Sequence, residues 1–223
     1  MTSIEAVVFD AYGTLFDVHS AARRHAGGLG GRAEAVSALW RERQLQYTWT
    51  RALMGRHRDF AEVTRAALRY ALAAHGIEDA GIEAGLLDAY GALDAYPEVP
   101  AALDGLKGRG FRLAILSNAT PSMLAAGARA AGIADRFDAV LSIEEAGVYK
   151  PDPAVYALVG KALGVAADAT AFVSSNRWDV AGAVAFGFQV AWVNRGGAPD
   201  EYPDLPPRWT VGDLAGLAGC FGG

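Results

Sequence analysis

Five short apolar runs set the rhythm of the chain: residues 4–10 (IEAVVFD), 112–118 (RLAILSN), 137–142 (FDAVLS), 170–176 (TAFVSSN) and 189–194 (QVAWVN). Each is nearly continuous in its hydrophobicity. That suits strands covered on both faces, and so a parallel sheet rather than a half-wet antiparallel one. Amphipathic or Ala-rich stretches at 100–109, 120–131, 153–163 and 178–187 separate them. Strand–helix alternation predicts an α/β fold, a doubly wound parallel (Rossmann-like) sheet with right-handed crossovers. Residues 209–221 read as an edge strand and a closing helix, after a Pro- and Gly-rich loop at 195–207.

One segment breaks this rhythm. From 18 to 96 the pattern is helical throughout. Residues 32–55 form one long helix ending at Gly55. A second spans 59–76, with Asp59 as N-cap, Glu62 three residues on and Gly76 as stop. A third covers 81–93, and Pro97 and Pro100 mark the return to the sheet. The expected organisation is a core built from 1–17 and 97–223, with an all-helical cap, 18–96, inserted after the first strand.

Composition narrows the class. With 52% hydrophobic and 20% charged residues the chain reads as a packed globule, not a disordered one. A net charge of −5 without a basic tail predicts no nucleic-acid partner. The single cysteine, Cys220, cannot form an internal disulfide. Neither a signal peptide nor a membrane span is legible, so a cytoplasmic location is expected. The four histidines, at 19, 25, 57 and 75, lack metal-ligand spacing.

In an open parallel sheet, ligands sit beyond the carboxyl ends of the strands. There the chain places Asp10, Tyr12 and Thr14 after the first strand, and Ser117 and Asn118 after the second. Lys150 and Tyr156 follow the third; Ser174, Ser175, Asn176, Trp178 and Asp179 follow the fourth. Each alone has an ordinary use: Asp10 as a helix cap, Ser117-Asn118 as an N-cap pair, Lys150 as a surface charge. Their convergence on one rim is what points to chemistry.

This set resembles the haloacid dehalogenase-like hydrolase superfamily, through DAYGT (10–14), SNA (117–119), KPDP (150–153) and SSNRWD (174–179). Phosphatases of that superfamily carry a second aspartate two residues after the nucleophile, as acid for the leaving alcohol. Here that position is Tyr12. A halide leaves without a proton, so a carbon–halogen hydrolase can dispense with the acid. FDVHS (16–20), WRERQLQYTW (40–49) and FVSSNRWD (172–179) narrow the resemblance to the (S)-2-haloacid dehalogenases. Glu42, beside Arg41, departs from a position often occupied by glutamine in those relatives.

The resemblance implies hydrolysis of short (S)-2-haloalkanoic acids to (R)-2-hydroxy acids and halide, with no cofactor, no metal and a homodimeric assembly. Asp10 attacks carbon and becomes an ester, with Lys150 keeping it ionised. Thr14, Ser174 and Ser117 are expected to aim its oxygens, and Asp179, beside Lys150 and Asn176, to activate water. Tyr156 supports Lys150 or Asp10. Arg41 receives the halide, helped by Asn118. Ala11, Tyr12, Leu45, Phe60, Ser117 and Trp178 complete the substrate pocket. The alternatives are a magnesium-dependent phosphatase of the same superfamily, disfavoured by Tyr12, and a non-catalytic binding protein on this scaffold, which predicts loss of at least one of Asp10, Lys150 or Asp179, although all three are present.

Overall fold

The computed structural model describes residues 3–221, so the extreme ends of the expected core, 1–2 and 222–223, lie outside the described residues. Six strands form one parallel sheet: β1 (Ala6–Phe9), β2 (Arg112–Ser117), β3 (Ala139–Ser142), β4 (Thr170–Ser174), β5 (Gln189–Val193) and β6 (Trp209–Val211). Their order is β3-β2-β1-β4-β5-β6. Winding therefore reverses between β1 and β4, the place where such sheets open a crevice. Val7 is in register with Leu113 on one side and Ala171 on the other. All four residues of β1 and all five of β4 are buried, as the continuous apolar runs require.

Between β1 and the rest of the sheet come α1 (Ser20–Arg24), α2 (Ala33–Leu53), α3 (Phe60–Ala74) and α4 (Ala80–Tyr90). Asp59 caps α3 by accepting the Glu62 N–H at 2.8 Å, and Asp79 caps α4 by accepting from Gly81 and Ile82. Helices α2 and α3 pack on each other, and α1 packs on α4 and α2. The remaining helices are α5 (Val99–Gly108), α6 (Pro121–Ala130), α7 (Pro153–Leu163) and α8 (Arg177–Phe186). No helix among the described residues is long and apolar enough to cross a membrane.

The closing helix expected over the last residues is instead a 3-10 segment, Leu214–Gly219. At Gly216 a Cβ would lie 2.9 Å from Val211, so this turn packs its backbone directly against β6.

Core and cap positions carry different energetic weight. Leu116 is fully buried in β2, so Leu116→Ala is expected to cost about 2–5 kcal/mol. Asp59→Ala removes only a helix cap and should cost about 1 kcal/mol. Urea denaturation of the two variants checks the ranking.

Candidate active site

Backbone geometry at the end of β1 builds the first half of the site. The Asp10 N–H continues the ladder to Val173 O at 2.9 Å, which carries the carboxylate just past the sheet. The chain then curls tightly: the Ala11 carbonyl accepts from the N–H groups of Thr14, Leu15 and Phe16. Gly13 takes φ +96°, a left-handed conformation costly for a side chain bearing Cβ. This curl returns Thr14 Oγ1 to within 3.2 Å of Asp10 Oδ2. Asn176 Nδ2 donates to the same oxygen at 2.7 Å.

Lys150 supplies the third donor. Its Nζ lies 3.2 Å from Asp10 Oδ1 and 2.9 Å from Asp179 Oδ2, so one ammonium bridges two carboxylates. Tyr156 donates its hydroxyl to Asp179 Oδ1 at 2.8 Å. The tyrosine therefore serves Asp179, and not Lys150 or Asp10 as the sequence suggested. Asn118 Oδ1 accepts the backbone N–H of Lys150 at 3.1 Å, which leaves the amide nitrogen as the donor end.

Two expected aiming groups turn elsewhere. Ser174 Oγ accepts the Asn176 N–H at 3.1 Å, and Ser117 Oγ accepts the Ala119 N–H at 3.2 Å. Both hydroxyls hold loop backbone in shape and not the carboxylate of Asp10. The neighbouring Ser175 makes the closer connection: its N–H donates to Thr14 Oγ1 at 2.9 Å. Arg195 also braces this loop, donating to Thr14 O at 3.1 Å while paired with Glu98 at 2.6 Å. Ser175 stood in the set that ends the fourth strand, without a role assigned to it; Arg195 lies in a loop with no periodic pattern, so sequence spacing did not single it out.

Helix α2 closes the site from the cap side. Arg41 Nη2 reaches Tyr12 O and Asn176 Oδ1, each at 3.2 Å, and Nη1 reaches Gln44 Oε1 at 2.9 Å. Asn176 thus receives the guanidinium with its oxygen and faces Asp10 with its nitrogen. Arg41, Leu45, Asn176 and Trp178 line a cleft of about 470 Å³. Tyr12 stacks on Tyr90 at 5.4 Å and meets Phe60 edge-on at 5.8 Å, so Phe60 backs the tyrosine ring. Ala11 is fully buried beside the carboxylate. Glu42 points away, its side chain 65% exposed and its nearest cation Arg43. Gln44 and Tyr90 went unrecognised in the sequence, although a glutamine on the buried stripe of α2, in line with Trp40 and Thr48, was a legible signal.

The electrostatics of the bridge are unequal. Burial pushes the Asp179 carboxyl up, and Lys150 only partly offsets it, so it titrates at about 6. Burial alone would pull Lys150 down, but Asp10 and Asp179 together hold it above its ordinary value. Burial also drives the Tyr12 phenol far up, which keeps it neutral. A divalent cation fits this set poorly, because an ammonium stands between the two carboxylates and Tyr12 offers no carboxylate. Among the described residues no group of three or more His, Cys, Asp or Glu side chains is placed to hold a metal ion.

Because the folded pKa of Asp179 exceeds its ordinary 3.8, the native state binds the extra proton. Its contribution to stability falls as pH rises through that window. Lys150→Met strands the carboxylate and widens the window upward. The variant should lose about 3–5 kcal/mol, with a larger deficit at pH 8 than at pH 5. Equal deficits in denaturant titrations at the two pH values would contradict this.

Comparison with known proteins follows the same lines. A family model described as haloacid dehalogenase-like hydrolase matches residues 4–187. The chain is 46% identical to (S)-2-haloacid dehalogenase 1 of Pseudomonas sp. (strain CBS-3), over 97% of this chain and 96% of that protein. A crystal structure of a dehalogenase with an intermediate complex superposes with TM-score 0.95 at 44% identity, covering 97% of this chain and 96% of that one. The L-2-haloacid dehalogenase of Xanthobacter autotrophicus with chloropropionic acid covalently bound gives 0.87 at 42%, covering 96% and 97%. Matched along nearly its whole length, the chain belongs to the haloacid dehalogenase-like hydrolases and, within them, to the (S)-2-haloacid dehalogenases.

Proposed function

We propose that this enzyme hydrolyses the carbon–halogen bond of short (S)-2-haloalkanoic acids, releasing halide and the (R)-2-hydroxy acid through an ester on Asp10. The observation that carries this reading is the Asp10–Lys150–Asp179 bridge, together with Tyr12 at the position where a phosphatase needs its acid. An ionised, largely dehydrated carboxylate is a competent nucleophile, and Lys150 reconciles the two conditions by standing in for water. One oxygen of Asp10 forms a bond to C2 as the carbon–halogen bond breaks in line, which inverts that centre. The halide departs with the bonding pair and needs no proton.

Arg41 receives the developing halide and helps retain the substrate carboxylate, with the Asn118 amide as a second donor. Water then adds to the ester carbonyl while Asp179 takes its proton. The tetrahedral intermediate collapses, restoring the Asp10 carboxylate, and the departing alkoxide recovers a proton as hydroxy acid. Thr14 and Asn176 keep the carboxylate aimed in both halves; Tyr156 holds Asp179, and Ser117 and Ser174 hold the loops that carry these groups. Leu45, Trp178 and the packed rings of Tyr12 and Phe60 enclose the alkyl part of the substrate.

In this reading the chain works as a core, 1–17 with 97–223, and a cap, 18–96, with the nucleophile and water base on the first and Arg41 and Leu45 on the second. It acts in the cytoplasm as a homodimer joined through cap-helix surface. The exposed Leu53 and Met54 at the end of α2 support that contact, and sedimentation velocity tests it.

The enzyme should release chloride from (S)-2-chloropropionate and not from the (R) form, undiminished by excess EDTA. Turnover of p-nitrophenyl phosphate with magnesium, without chloride release, would overturn the reading. Arg41→Lys replaces a planar fork by a point charge and should lower kcat by at least about tenfold. The hydrolytic half-reaction should fall as pH drops through about 6, where Asp179 takes up its proton; single-turnover decay of the ester measures this.

A further inference from the structure

The clusters outside the site are few. One apolar groove of about 600 Å³ runs past Trp49, Trp178 and Phe186, and a hydrogen bond at 3.2 Å joins His57 of the cap to Glu144 of the core. A buried polar network behind Arg41 carries more, because it connects directly to the reacting groups.

Gln44 is 1% exposed on α2, yet both ends of its amide are engaged. Nε2 donates to Thr64 Oγ1 at 2.7 Å. Oε1 accepts from Arg41 Nη1 at 2.9 Å and from the Tyr90 hydroxyl at 3.2 Å. Trp40 Nε1 donates to Thr64 O at 2.9 Å, which ties α3 to the same point. The amide cannot be reversed, because its NH2 would then face the Arg41 guanidinium, which can only donate. Tyr90 in turn stacks on Tyr12. One side chain therefore sets both the guanidinium that faces Asn176 and the ring that backs the residue beside the nucleophile.

We infer that Gln44 is the positioning residue that holds Arg41 across the cap–core seam for halide departure, and that its neutrality is essential to the role. A carboxylate at this position would grip Arg41 equally well but would cancel the charge meant for the halide. A neutral acceptor fixes the fork and leaves its charge unspent. With Nη1 held, Nη2 is directed to Tyr12 O and Asn176 Oδ1.

The inference rests on the dehalogenase reading, and halide release by the wild-type enzyme tests that reading separately. Gln44→Glu and Gln44→Met are compared on (S)-2-chloropropionate and (S)-2-bromopropionate in rapid-quench single turnovers. Chloride is the poorer leaving group and depends more on Arg41. Both variants should form the ester from the chloro acid about tenfold more slowly, a barrier rise of about 1.4 kcal/mol. The loss with the bromo acid should be smaller, the KM for both acids should rise, and ester hydrolysis should change less than its formation.

Gln44→Glu is isosteric, and the Thr64 hydroxyl can donate to it, so its unfolding midpoint should stay near that of the wild type even if Gln44→Met folds poorly. A Gln44→Glu enzyme with an unchanged bromide-to-chloride rate ratio would overturn the inference. So would equal losses on both substrates in step with a reduced active-site titre, the result expected of a merely structural residue.

Discussion

Lys150 carries a full positive charge into a place without solvent, its side chain 0% exposed, and Asp10 and Asp179, with the face of the Phe172 ring 4.9 Å away, make that tolerable. Removing an ammonium from water costs several kcal/mol after relaxation, and two carboxylates at hydrogen-bonding distance offset it. The arrangement leaves two negative charges against one positive. That imbalance, with burial, is why the Asp179 carboxyl is displaced upward while Lys150 remains charged. Such a bridge is a poor way to stabilise a fold, because apolar residues of similar volume usually do as well. Its presence on the rim of the sheet makes sense as chemistry: a carboxylate nucleophile held against an ammonium away from water, and a second carboxylate beside it as the base.

The scaffold delivers these groups with little adjustment. β1 and β4 are neighbours at the point where the sheet changes its direction of winding, so the loops leaving them diverge around a crevice. Asp10 leaves one strand, and Asn176 and Asp179 open the helix that follows the other. The nucleophile loop is shaped by its own backbone, through the Ala11 carbonyl and the left-handed Gly13, and by Ser175 and Arg195 pressing on Thr14. Across the seam, α2 presents Arg41 at a height fixed by Gln44. Core and cap thus meet through hydrogen bonds to Tyr12 O and Asn176, both adjacent to the reacting carboxylate.

Much of this was legible in the chain, for a physical reason. A buried parallel strand reads as a continuous apolar run, and the residue that ends it is placed by the run itself, so Asp10, Asn118 and Asn176 could be located by counting. Lys150 and Asp179 followed from the loops after the next strands. What could not be read were choices made at the level of a single torsion: which of two adjacent serines braces Thr14, and which acid Tyr156 serves. Gln44 was hidden differently. Its spacing put it on the buried face of α2, but its partners Thr64 and Tyr90 come from other helices, so its importance exists only once those helices have packed. The close approach of Gly216 in the 3-10 closing segment to Val211 is likewise a contact no local pattern announces.

The most direct test is one turnover in water enriched in oxygen-18, with enzyme in excess over (S)-2-chloropropionate, followed by mass spectrometry of the peptide containing Asp10. Water attacking an ester carbonyl delivers its oxygen to the enzyme, so label should enter the Asp10 carboxylate and the first hydroxy acid released should carry none. Label in that first product, with an unlabelled Asp10, would mean that water attacks carbon directly and that the buried lysine bridge serves some purpose other than arming a nucleophile.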